Sequence, residues 1–181
     1  MRRWVWAVLM ICFAGYMAGC SVSGEKGDPP PPDIKRDTPE GLIEWLGYYY
    51  EKRDIDKYNE ALDDYYLFTF TSDDADKLGL PPDQPWWGKT EDAISTRNMF
   101  ESSQVTKIEM DLPIAAGPWI TEDGLGYRLE PSIKVTTEQP DATEPTVYWV
   151  FQSWLDVEII EDPFDSTLWV FKGIQESLKS E

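Results

Sequence analysis

The sequence predicts an α+β fold in which a curved, mixed but mainly antiparallel sheet wraps around three N-terminal helices. Two observations carry that prediction. Up to about residue 102 the apolar residues recur mostly at helical spacing, and beyond it they alternate with polar ones. The change of period is visible inside one stretch, Asp54 to Phe70, where a short helix runs into an aromatic strand. With 181 residues and 41% hydrophobic content, one core and one domain are expected.

Thr38-Pro39-Glu40 supplies an N-cap, a first-turn proline and an acid near the positive end of the helix dipole. Leu42, Trp45, Leu46, Tyr49 and Arg53 follow at helical spacing, which predicts a first helix through about Lys52. Asp54 caps the second helix, with Ile55, Tyr58 and Leu62 inward and Asp63-Asp64 at its end. From Tyr65 the period is 2, so Tyr66, Phe68 and Phe70 point one way as a strand. Thr71 to Gly88 reads as a polar connection. Its Asp73, Asp74 and Asp76 lack the turn glycine and the distant acid of a calcium loop, and a solvated acidic loop is the reading. Thr90 begins a third helix, Glu91 to Ser102, with Ala93, Ile94, Arg97 and Phe100 along one side.

Four strands are then predicted. Ile108, Met110 and Leu112 alternate with Lys107, Glu109 and Asp111, and Tyr127, Leu129, Ile133 and Val135 with Arg128, Glu130, Ser132 and Lys134. Val147 to Ile160 reads as one long strand with Leu155 and Val157 on one face and Trp154 and Asp156 on the other, and Trp169 to Ile174 closes the chain. Gly117-Pro118, Asp123-Gly124, Gln139-Pro140-Asp141 and Asp162-Pro163 mark the turns.

Ahead of this domain, Met1-Arg2-Arg3 and the uncharged apolar run Trp4 to Gly19 read as an export signal, shorter than the roughly 20 residues of a spanning helix. The run ends in Met17-Ala18-Gly19-Cys20, which resembles the lipobox of bacterial lipoproteins. That resemblance implies lipidation at Cys20, and Ser21 after it is similar to the outer-membrane sorting pattern of a diderm bacterium. The alternatives are signal cleavage nearby and an uncleaved anchor. The expected organisation is a signal peptide over 1–19, a proline-rich tether over 20–37 and a folded domain over 38–178. The cellular address is the envelope, outside the cytoplasm, with a lipid anchor in the membrane.

Composition excludes several functions. With Arg2 and Arg3 set aside, 14 basic side chains face 34 acidic ones from Cys20 onward, a formal charge of −20 that repels phosphate backbones and excludes nucleic acid as a partner. The chain has no histidine, which removes Ser-His-Asp hydrolysis, Cys-His chemistry and histidine-ligated metals and haem. Both cysteines, Cys12 and Cys20, precede the domain, so it has no disulfide or thiol nucleophile. No cofactor and no metal are expected.

Arg53-Asp54-Ile55-Asp56, Ala61-Leu62-Asp63-Asp64 and the strand Tyr66 to Phe70 together resemble the helix-helix-strand opening of the nuclear transport factor 2-like superfamily, which includes SnoaL-type and ketosteroid-isomerase-like domains. Trp169-Val170-Phe171 leading to Gln175-Glu176 is similar to the closing strand of that group. The resemblance spans about 38 to 177 and implies a cone-shaped, cystatin-like roll with a pocket between sheet and helices. In the isomerase subset the resemblance implies a tyrosine donor and an aspartate base. Here Leu46 and Phe70 occupy those positions, and neither can do the chemistry.

The leading expectation is a non-catalytic envelope lipoprotein that binds a small apolar ligand or an envelope protein. Its pocket would be lined by Tyr66, Phe68, Trp87, Trp149 and Trp154, with Arg97 nearby. A homodimer through the sheet is a further mode of association. The alternative is a cofactor-independent isomerase, cyclase or dehydratase with Asp156 as general base, its pKa raised by an aromatic wall, and Tyr66 or Arg97 stabilising an oxyanion. Trp86-Trp87 raises a third reading, a carbohydrate-binding surface, against the plainer one that the pair plugs its own core.

Overall fold

The computed structural model describes residues 34–138, 145–149 and 153–178. The expected signal peptide, the expected lipidation site Cys20 and most of the expected tether lie outside the described residues. Residues 34–37, at the tether's end, are attached to the domain: the Arg36 carbonyl accepts from the Trp169 amide at 2.8 Å, and the Arg36 guanidinium lies 3.8 Å from Asp162.

Helix α1 (Pro39–Glu51) starts as its sequence predicts, with the Thr38 hydroxyl accepting from the Gly41 amide at 3.0 Å and Pro39 in the first turn. It buries Leu42, Ile43 and Leu46. Arg53 follows in the left-handed region, φ 56, and turns the chain into α2 (Ile55–Glu60), whose cap is the Asp54 carboxylate on the Lys57 amide at 3.0 Å.

Strand β1 (Leu62–Thr69) begins three residues before the predicted Tyr65. Leu62 is buried and pairs with Phe171 instead of ending the helix, because the Ala61 carbonyl already accepts from the Phe171 amide at 2.8 Å. The connection read as a loop contains a further helix, α3 (Ser72–Leu78), and a short strand, β2 (Trp86–Gly88). Thr71 caps α3, Asp73 and Asp74 sit in its first turn, and Gly79 ends it at φ 71. All of its signals are polar, and it buries only Ala75, so hydrophobic periodicity could not find it.

Helix α4 (Lys89–Glu101) buries Asp92, Thr96 and Phe100, which corrects the expected face: Ile94 is 53% exposed and Arg97 is exposed. The stripe is in phase with Phe100, but two of its three members are polar.

Among the described residues seven more strands follow: β3 (Val105–Asp111), β4 (Ile114–Ile120), β5 (Leu125–Leu129), β6 (Ser132–Thr137), β7 (Thr146–Trp149), β8 (Trp154–Asp162) and β9 (Asp165–Ser177). Two expected strands are each divided between sheets. The run 127–135 breaks at Glu130-Pro131, where Pro131 has no amide to donate and the Glu130 amide turns to the Pro113 carbonyl at 2.9 Å. The run 147–160 is divided between β7 and β8. Strand β4 was not predicted, because its seven uncharged residues are all exposed and do not alternate.

The fold is α+β with a curved, mixed, mostly antiparallel sheet. Six strands run in the order β2-β1-β9-β8-β5-β4 and three in the order β3-β6-β7, with β1 and β9 paired in parallel. The inner face of the larger sheet presents Tyr66, Tyr127, Leu129, Leu155, Val157, Ile159 and Phe171 to α1 and α2. A second cluster joins Phe100 of α4 to Val105, Ile108, Ile133 and Val135 of the smaller sheet. Tyr50, Ile55 and Met110 pack against both clusters, so the ends of α1 and α2 lie where the two cores meet.

Candidate interior site at Asp92

Four elements bring hydroxyls and one carboxylate together inside this arrangement. Gly88 caps helix α4, its amide donating to the Glu91 carboxylate at 3.1 Å, and the first turn points Asp92 inward. The α2 residue Tyr58 meets it, donating its hydroxyl to Asp92 Oδ2 at 2.7 Å. Tyr66 of β1 lies beside them, 1% exposed. Its hydroxyl is close enough to act on the Asp92 charge but makes no hydrogen bond of normal geometry. Tyr50 of α1 closes the group, with its ring edge-on to Tyr58 at 5.8 Å and to Phe100 at 5.0 Å.

Burial pushes the Asp92 carboxyl up to about 6, and the Tyr58 and Tyr66 hydroxyls hold it from rising further. The tyrosines respond in the same sense. Burial first, then the neighbouring carboxylate, raises Tyr50, Tyr58 and Tyr66, so all three remain neutral donors. The cluster thus contains one carboxylate that changes charge just below neutrality, one phenol committed to it and one phenol with capacity to spare.

A second buried acid closes the sheet end. Glu176 of β9 accepts from the Thr71 amide at 3.4 Å, and burial raises its pKa, with Ser153 lowering it and Asp74 raising it. Beside β2, Phe70 packs against Phe68 at 4.8 Å and edge-on to Trp87 at 4.8 Å. Register pairs Phe68 with Trp87 and with Ile174, so these rings continue the inner face that holds Tyr66.

Three of the predicted pocket residues, Tyr66, Phe68 and Trp87, therefore line one surface. The others do not join them. Arg97 lies on the exposed side of α4. The side chain of Trp149 is outside the described part of the structure. Trp154 sits opposite Ser177, on the face away from the helices, because Leu155 next to it is the buried neighbour.

Asp156 shares that outer face, and the expectation of a raised pKa is overturned there. Arg128 holds its carboxylate through Nε at 2.6 Å and Nη2 at 2.8 Å, Ser177 donates at 3.2 Å, and the guanidinium keeps the pKa below the usual carboxylate range. The acid that burial does raise is Asp92, which the sequence reading missed. The available signal was the spacing Asp92, Thr96, Phe100 on one helix face. Leu46 is core and Phe70 is part of the ring cluster, so the two positions that the isomerase resemblance singles out are occupied by packing residues.

Among the described residues no cluster of three or more acids or other ligating groups could hold a metal ion. No family model matches the chain, and no curated protein sequence matches it. Solved structures do. A protein from Kribbella flavida superimposes with a TM-score of 0.54 at 9% identity, over 77% of this chain and 86% of that one. A conserved protein from Planctomyces limnophilus gives 0.52 at 15%, over 75% and 89%. A nuclear transport factor 2-like superfamily protein from Salmonella enterica gives 0.48 at 12%, over 77% and 87%. At these identities the likeness to the Kribbella flavida and Planctomyces limnophilus proteins is one of fold.

Proposed function

We propose that this chain is a lipid-anchored protein of the cell envelope whose cone-type domain binds, without catalysis, a small and largely apolar ligand carrying one hydrogen-bonding group. The observation that carries the reading is the Tyr66 hydroxyl, buried next to the Asp92–Tyr58 pair without a hydrogen bond of normal geometry. A buried phenol that only leans on a neighbouring carboxylate leaves hydrogen-bonding capacity unused, and a ligand headgroup is one way to satisfy it. Phe68 and Trp87, on the same inner surface, supply rings for its apolar body. The lipobox-like Met17-Ala18-Gly19-Cys20 supports the anchor, and the fold supports a ligand site between sheet and helices.

The test is native mass spectrometry of the full chain extracted from its host envelope. A bound small molecule is expected in the wild type and lost in Tyr66→Phe. The intact mass would carry acyl chains at Cys20, which Cys20→Ser would abolish. A protein that emerges empty, and whose melting temperature no apolar ligand raises, would defeat the binding reading.

A second reading is proton transfer on a carbonyl compound, and the pKa of about 6 at Asp92 favours it, since a general base works best when poised near the operating pH. Asp92 would then replace Asp156 as the base, with Tyr66 as donor to the developing oxyanion. Turnover of an isomerase or dehydratase substrate that Asp92→Asn abolishes would establish it over the first.

A further inference from the structure

The face of the six-stranded sheet turned away from the helices carries an arrangement that the interior site does not use. Register places Trp119 of β4, Gly126 of β5, Glu158 of β8, Gly173 of β9 and Leu67 of β1 in one row across it. Arg128, Asp156, Gln175, Thr69 and Trp86 form the next row.

Trp119 lies directly over Gly126. A Cβ at that glycine would come within 2.1 Å of the indole Nε1, so the missing side chain is what seats the ring against the sheet while leaving it 41% exposed. Gly173, by contrast, has nothing above it: an added Cβ would meet only the Leu67 carbonyl oxygen, at 3.5 Å. The floor between Trp119 and Leu67 is therefore bare backbone and fixed polar groups. Arg128 and Asp156 are locked in a two-pronged pair, and Lys172 pairs with Asp123 and lies 3.6 Å from Glu158. Trp154 stands on the same face, four residues along β8 from Glu158 and two strands from Trp119, about 13 Å along the strands and about 10 Å across them.

Charge narrows the occupant. On a chain of net charge −18 this face sets two cations against three anions, each already paired. A basic partner would need unpaired carboxylates, and for an apolar peptide the side chains Leu67, Trp86, Trp119 and Trp154 are broken up along the rows by Glu158 and by the Arg128–Asp156 pair. The complementary chemistry is uncharged, rich in hydroxyls and apolar on one side. A sugar ring has that form. Its C–H face carries partial positive charge and stacks on the negative face of an aromatic ring, while its hydroxyls bridge fixed donors and acceptors.

We propose that the outer sheet face binds an extended, uncharged glycan chain, with Trp119 as stacking platform and the Arg128–Asp156 pair hydrogen-bonding its hydroxyls. The proposal does not depend on the interior site. To test it, the full chain is titrated calorimetrically with chitohexaose and with cellohexaose. Saturable binding of at least one is expected. Trp119→Ala and Gly173→Gln should each weaken it about tenfold or more, as loss of one ring-stacking contact or occlusion of the floor would. The first atom of a side chain at Gly173 would meet only ordinary contact with the Leu67 carbonyl, so the melting temperature of Gly173→Gln should stay near wild type and separate loss of binding from loss of fold. Tyr66→Phe should leave glycan binding unchanged. The proposal is overturned if neither hexaose binds at millimolar concentration. It is equally overturned if binding survives both substitutions, or if sedimentation finds a dimer that Gly173→Gln dissociates, since the face would then belong to a second copy.

Discussion

Tyr58 donates its hydroxyl to Asp92 across 2.7 Å, linking the short second helix to the first turn of α4 through a carboxylate that is 8% exposed. Because that carboxylate is desolvated, its titration is tied to folding, and the sign is opposite to that of most acids. Its pKa is 3.8 when unperturbed and about 6 in the folded chain, so between those values the native state holds the proton that the unfolded state has released. Stability from this group is present below the unfolded pKa and is lost as pH rises through about 6. The loss is roughly 3 kcal/mol by the usual conversion of pKa shift to free energy. Urea midpoints of wild type and Asp92→Asn between pH 4 and 7 check this. The wild type should lose stability relative to the variant across that window, and parallel curves would contradict the assignment.

Removing the Tyr58 hydroxyl leaves the same carboxylate buried without its donor. Tyr58→Phe should cost about 1–3 kcal/mol near neutral pH, where Asp92 is mostly ionised, and less at pH 4, where it is protonated. Chemical denaturation at both pH values measures the difference. A cost that does not depend on pH would assign the effect to packing around Phe100 instead.

Tyr66→Phe should behave in the opposite way. The hydroxyl makes no hydrogen bond of normal geometry and only helps hold the Asp92 charge, so its removal from the empty protein is expected to change stability by no more than ~1 kcal/mol. A thermal melt of ligand-free protein checks it. A loss of 2 kcal/mol or more, on the order of a broken buried hydrogen bond, would show that the hydroxyl is already satisfied.

These tyrosine and aspartate positions show how far the sequence could be read. The class of fold was legible because its strongest signals are local: Thr38-Pro39 and the Asp54 cap are where the sequence places them, and Leu155 and Val157 alternate inward as their spacing requires. Asp92 was not legible, since an aspartate in a first helical turn ordinarily faces water beside the helix dipole. Only the phase it shares with Thr96 and Phe100, together with hydroxyls from two distant segments, turns it inward. Asp156 failed for the converse reason: alternation correctly put it opposite Leu155, but that face proved to be the outside of the sheet, where Arg128 stands one strand away.

Asp156 therefore belongs to an exposed ion pair, and its depressed pKa contributes stability above the unfolded value that fades as pH falls through the folded one. Both partners are partly solvated, so the contribution is discounted to under ~1 kcal/mol. Asp156→Asn should shift the urea midpoint by no more than that at neutral pH, and by less in high salt. A larger loss would mean that the pair braces the β5–β8 edge of the sheet.

Gly126 offers the last test, and it bears on the outer face without any ligand. The indole of Trp119 occupies the space a side chain would take, at 2.1 Å from an added Cβ, so Gly126→Ala cannot be absorbed by a small shift. The ring must leave its seat, and among the described residues β4 pairs only with β5, so the edge strand has no second neighbour to hold it. Overpacking of this kind costs about 1–3 kcal/mol. The expected result is a drop in melting temperature together with loss of the slow amide exchange at Gly126 and Leu125, while exchange in β8 and β9 is preserved. Should Gly126→Ala instead be accommodated with Trp119 in place, the ring's seat would not depend on the missing side chain.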